Sequence, residues 1–69
     1  DVLADVIETD RQAGLAPPGA DADAIATALL DLNDRTMERL VRAPDGFDWD
    51  RHVEAVVHVW ITSIYGRTA

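Results

Sequence analysis

Asn33 is the residue whose type and place most invite chemistry: a carboxamide on a stretch otherwise apolar, with Leu29, Leu30, Met37 and Leu40 around it at helical spacing. A buried amide left unpaired costs ~1–3 kcal/mol, so something must meet it. Two readings stand side by side. In one, Asn33 is a satisfied core residue bonded to neighbouring backbone; in the other, its amide hydrogen-bonds a mostly apolar ligand, the usual design of a small-molecule pocket. Trp60 is the second such residue, in the middle of the apolar run from Val56 to Gly66. An indole buries ~150–250 Å² and either fills a core or lines a pocket or interface. Tyr65, one turn beyond Ile61, reads both ways.

The remaining constellations are weaker. Glu54 and His58 stand four residues apart, a spacing that puts two metal ligands on one helical edge. A di-iron bundle needs Glu-x-x-His from two helices plus two further carboxylates, and the chain offers neither copy, so no metal and no cofactor are expected. Asp31, Asp34 and Glu38 interleave with Arg35, Arg39 and Arg42 as an i,i+4-laced solvent face. Ser63 has no histidine in a plausible relay and there is no phosphate loop. No catalytic residue is assigned, and the chain is not expected to be an enzyme.

The totals narrow the ligand classes. Thirteen Asp and Glu against six basic residues, all Arg, give a formal charge of -7 over 69 residues. Binding to nucleic acid needs a basic stripe that releases counterions, so nucleic acid is not this chain's own ligand. No apolar run approaches the ~20 residues of a membrane span, and exposed apolar surface should therefore face protein. One domain of this size has a marginal core unless disulfides, a metal or oligomerisation support it. There is no cysteine, which leaves oligomerisation and agrees with an expected cytoplasmic location. The chain opens at Asp1 with neither an initiator Met nor a signal peptide, and is expected to be a piece of something longer.

Three helices must position these residues. Val2, Leu3, Val6 and Ile7 recur at three- and four-residue spacing, predicting a helix over 1–13 that Gly14 and Pro17-Pro18-Gly19 stop. Its pattern is established at the first residue without a cap. A second helix is predicted over 22–42, with Asp21 as N-cap, Asp23 in the first turn and Ala43-Pro44 ending it. Ile25, Ala26, Ala28, Leu29, Leu30, Leu32, Met37, Leu40 and Val41 make its apolar face. After the Pro44-Asp45-Gly46 turn, Asp48 caps a third helix over 49–65, which Gly66 closes in the left-handed conformation. Val53, Val56, Val57, Trp60, Ile61, Ile64 and Tyr65 form one wide stripe, with Trp49 near its edge, which makes this helix the expected core element. Ala55, Val59, Thr62 and Ser63 lie opposite, small enough for another helix to come close. The fold class is all-α, a partial helical bundle.

Ala26-Thr27-Ala28-Leu29, Asn33-Asp34-Arg35-Thr36 and the closing run Val57-His58-Val59-Trp60-Ile61-Thr62-Ser63-Ile64-Tyr65-Gly66 resemble the end of tetracycline-repressor-like (TetR) regulators, of the ethionamide-repressor (EthR-like) type. The resemblance covers residues 22 to 66, and the final Trp-x-Thr-Ser-x-Tyr-Gly stretch is its most specific part. It implies that residues 1–69 are the last helices of a C-terminal effector-binding and dimerisation domain, with the helix-turn-helix DNA-binding domain outside this chain. It implies an effector pocket lined by Asn33 and Trp60, with Leu30, Asp34 and Met37 nearby, and a small, largely apolar effector. It implies partners: the preceding helices of the same protein, a second copy meeting the Ala55, Val59, Thr62 and Ser63 side, and operator DNA only through the separate N-terminal domain. This sequence departs from the EthR-like pattern at Leu30, where that type has a second Asn, and at Glu38, where it has an aromatic. The alternative is a helical assembly module with no ligand pocket, in which the Trp60 face only packs against a partner. An apolar hollow beside Trp60 separates the two.

Overall fold

The computed structural model describes residues 1–66 and contains three helices: α1 (Val2–Gln12), α2 (Ala22–Val41) and α3 (Trp49–Tyr65). Each begins at an aspartate whose carboxylate takes an otherwise unpaired first-turn N–H. Asp21 accepts from Ala24 N at 3.0 Å and Asp48 from Arg51 N at 3.1 Å, as the sequence predicts. The expectation of an uncapped first helix is corrected, because Asp1 accepts from Ala4 N at 2.9 Å.

The helix ends fall within one residue of the predicted ones. α1 stops at Gln12 because Gly14 adopts φ 77, which lets Leu15 N–H reach the Asp10 carbonyl at 2.8 Å and Gly14 N–H the Arg11 carbonyl at 3.2 Å. This double hook is a Schellman closure, and Ala13 is its cap rather than its last helical residue. α2 gives way at Arg42 ahead of Pro44, and Phe47 N–H closes the following turn on the Pro44 carbonyl at 3.2 Å. α3 ends at Gly66, φ 66, whose N–H bonds the Thr62 carbonyl at 3.0 Å.

α2 and α3 run antiparallel. Leu29 and Ile64 share a buried cluster at one end, Asn33 and Trp60 face each other in the middle, and Leu40 and Val53 border a common hollow near the turn. α1 covers only the Leu29 end of this pair. There Ala4, Ile7, Ala16, Ala22 and Ala26 close around Leu29 and Ile64. Tyr65 donates its hydroxyl to the Asp10 carboxylate at 2.7 Å, tying the end of α3 to α1.

The expectation that α3 is the core element is not met: Ile64 alone of its residues is buried, while Val53 and Val57 are each 49% exposed. The reason is coverage, not pattern. The molecule is elongated, 44 × 23 × 15 Å, and α1 packs only at the Leu29 end of the pair, so among the described residues most of α3 has α2 alone beside it. The same geometry corrects the α1 stripe, in which Ile7 is buried and Leu3 half-buried while Val2 and Val6 face outward. The accessible surface is 5043 Å², whereas a compact monomer of 7.5 kDa exposes about 4,200 Å². No helix among the described residues is long and apolar enough to cross a membrane.

Candidate functional site

The caps that start α2 and α3 fix the phase of each helix, and the turn fixes their register. Together they bring two of the sequence-predicted residues to one place: Trp60 Nε1 donates to Asn33 Oδ1 across the helix pair at 3.1 Å, with both side chains half-buried. The indole nitrogen is a donor only, so the amide atom facing it must be the oxygen. The Asn33 amide nitrogen is left to donate elsewhere. Neither sequence reading of Asn33 anticipated this partner, because a bond between residues 27 positions apart depends on register between helices, not on local spacing.

Apolar hollows open on both sides of the bond. One, of about 390 Å³, is lined by Asn33, Val56, Val57, Trp60 and Ile61. The other, of about 180 Å³, is lined by Asn33, Thr36, Met37, Leu40, Val53, Val56 and Val57. They share Asn33, Val56 and Val57 and form one groove along the α2–α3 seam. Its walls are mostly aliphatic and aromatic, with Asn33 and Thr36 as the polar groups, and it is open to solvent along its length.

Met37 thus joins Asn33 and Trp60 at the groove. Leu30 and Asp34 are exposed and line neither hollow in this chain. Val53, Val56, Val57 and Ile61 line it as well; the sequence reading gives the Val53, Val56, Trp60 and Ile64 side to core and pocket together, without separating a wall left bare from one that is covered. Glu38 is held by Arg35 at 3.6 Å and Arg42 at 4.0 Å, so its carboxylate belongs to an arginine-rich edge of α2 and lines neither hollow.

A larger hollow, about 470 Å³, lies against Val53, Glu54, Val57 and His58. All four belong to α3, so no second element faces them, and this is a dent in an open surface. Among the described residues no group of three or more His, Cys, Asp or Glu is placed to hold a metal ion. On the side of α3 away from the groove, Ala55, Val59, Thr62 and Ser63 are all exposed.

Comparison with known proteins places this geometry in a lineage. The family described as "Transcriptional regulator EthR, C-terminal domain" matches residues 1–66. The "HTH-type transcriptional regulator EthR" of Mycobacterium tuberculosis (strain ATCC 25618 / H37Rv) is 38% identical over 63 residues, covering 90% of this chain and 29% of that protein. The protein of the same name from Mycobacterium bovis (strain ATCC BAA-935 / AF2122/97) gives the same figures. The chain therefore spans about three-tenths of the length of the curated relatives it matches. No solved structure matches it significantly. A family match over nearly the whole chain, on an all-α hairpin with one helix laid across its end, establishes that this chain belongs to the EthR C-terminal domain family, as an EthR-like segment of the TetR type.

Proposed function

We propose that this chain is the effector-binding and homodimerisation part of a TetR-like transcriptional repressor, and that a small, largely apolar effector regulates DNA binding by the intact protein. The observation that carries the reading is the Trp60–Asn33 bond spanning an open apolar groove. A packing-only module would bond Asn33 to backbone and close the space beside Trp60. Here the amide reaches a side chain, and the walls beside Trp60 are apolar. With its oxygen engaged by the indole, Asn33 offers an N–H to a ligand acceptor such as a carbonyl, while Trp60, Met37, Val57 and Ile61 receive an alkyl or aryl portion. Leu30 and Asp34 stand on the flank where the preceding helices would close the pocket. Ala55, Val59, Thr62 and Ser63 meet the second copy, which supplies the cover that α3 lacks.

Operator DNA is contacted by the helix-turn-helix domain, outside this acidic chain, and the site of action is the cytoplasm. An effector shifts the protein between conformations only through its different affinity for them. No catalysis is assigned to any residue.

Titration of N-octylacetamide, an alkyl chain bearing one amide carbonyl, into the intact protein tests the pocket. Asn33→Ala is expected to weaken binding by about 0.5–1.5 kcal/mol, roughly two- to thirteenfold. Equal affinity of the two proteins for the probe removes Asn33 from the site and the pocket reading with it.

A further inference from the structure

The two hollows beside the Trp60–Asn33 bond differ in chemistry. The one toward Trp60 and Ile61 has Asn33 as its polar wall residue besides the indole nitrogen, which the bond already occupies. The one toward Leu40 and Val53 has a second polar group, Thr36, half-buried and one turn beyond Asn33 on α2. The pocket as proposed gives Thr36 no task.

A threonine inside a helix commonly satisfies its hydroxyl on a carbonyl of the preceding turn. Thr36 does not, and among the described residues its hydroxyl has no hydrogen-bond partner. Once a ligand excludes water from the hollow, that hydroxyl is costly to leave unmet. The facing walls cannot meet it: Val53, Val56 and Val57 carry no polar side-chain atom, and Met37 offers only a weak thioether acceptor.

The spacing defines the group that would. Residues three apart on a helix hold their Cβ atoms about 5–6 Å apart, so polar atoms a few bonds apart in one ligand reach both. Asn33 offers an N–H, its oxygen being held by Trp60, and Thr36 offers a hydroxyl that donates and accepts. The carbonyl oxygen of an acyl amide or ester suits the first, and an oxygen on the third carbon of the acyl chain suits the second. The rest of the acyl chain then runs toward Met37, Leu40 and Val53, while the amine or alcohol portion lies beside Trp60 and Ile61. Each hollow receives one apolar arm.

We infer that Thr36 is a specificity-determining residue, through which the pocket selects acyl amides or esters bearing a hydroxyl or keto oxygen on the third acyl carbon. The inference rests on the effector-pocket reading above.

Titration of N-butyloctanamide and of its 3-hydroxy and 3-oxo derivatives into the intact protein tests it. At least one oxygenated probe is expected to bind the wild type about fivefold more tightly than the plain amide, the ordinary worth of one neutral hydrogen bond. Thr36→Val keeps the branched shape without the hydroxyl and is expected to bring that ratio within about twofold of one, whereas Thr36→Ser should keep it. A ratio of one in the wild type, or an undiminished ratio in Thr36→Val, overturns the inference while N-butyloctanamide still reports the pocket. If none of the three probes binds the wild type, the pocket reading fails and this inference with it. Should circular dichroism show Thr36→Val unfolded, Thr36→Ala takes its place, and a preference that survives there overturns the assignment.

Discussion

The Trp60–Asn33 bond admits a quantitative test, because each side can be altered without deforming its helix. Trp60→Phe removes the indole N–H and keeps an aromatic in the groove. Asn33→Ala removes the acceptor and improves helix propensity at the same position. The contact is 3.1 Å long and half-buried, so its net worth lies in the ordinary range for a neutral hydrogen bond, about 0.5–1.5 kcal/mol. Each single change also carries costs unrelated to the bond: lost indole area for one, a small hollow for the other. A double-mutant cycle cancels these. Urea unfolding of the intact protein and its three variants, with unchanged m-values, should give a coupling energy of about 0.5–1.5 kcal/mol. Strict additivity would refute the reasoning, since it would mean that water replaces either partner at no cost and that the two helices are not tied at mid-length. The cycle can be repeated with N-octylacetamide at saturation. A ligand that accepts from the Asn33 nitrogen leaves the oxygen with Trp60, and the coupling should persist.

Further expectations concern the joints around the groove. Tyr65→Phe removes the hydroxyl that donates to Asp10 at 2.7 Å and should cost about 1 kcal/mol in thermal unfolding of the intact protein; an unaltered melting temperature would show the tie to be dispensable. Gly66→Ala forces a side chain into the left-handed conformation and brings a Cβ within 3.1 Å of Pro17 Cγ, so a loss of about 1–2 kcal/mol is expected, and a neutral result would mean that this end of α3 rearranges freely. Asp21→Ala strips the α2 cap and should cost about 1 kcal/mol, with Asp21→Ser restoring most of it in the same unfolding measurement. Val59→Arg puts a charge on the uncovered face of α3; sedimentation should show dissociation to monomers, whereas an intact dimer would move the interface elsewhere.

What the sequence makes legible here is what the chain decides locally. Asp21 and Asp48 announce their helices because a short carboxylate before an apolar-periodic run has one good use, and Gly66 announces an ending because few other residues accept its conformation. The position of Asn33 amid leucines likewise singles out the site. What stays illegible depends on which neighbours are present. The stripe on α3 is equally apolar whether a helix covers it or a groove lies before it, so periodicity overstates its burial. Val2 and Val6 mislead for the same reason, since their spacing promises a contact that no described element of this chain provides. The partner of Asn33 is hidden for a different reason: it is set by how far α3 slides along α2, which the turn and the tie at Tyr65 determine together.

The alanines of the small core have a consequence for how this segment tolerates change. Ala4, Ala22 and Ala26 stand where α1 meets α2, and Ile7 is the largest side chain sealed completely. Methyl groups contribute little burial, yet they set how near two helix axes can lie. The contact between α1 and α2 therefore works as a gauge more than as an anchor. Enlarging Ala26 would tilt α1, and through the hydroxyl of Tyr65 the end of α3 would follow. Drift at these positions in related chains is then a way to reshape the distant groove without touching any residue that lines it.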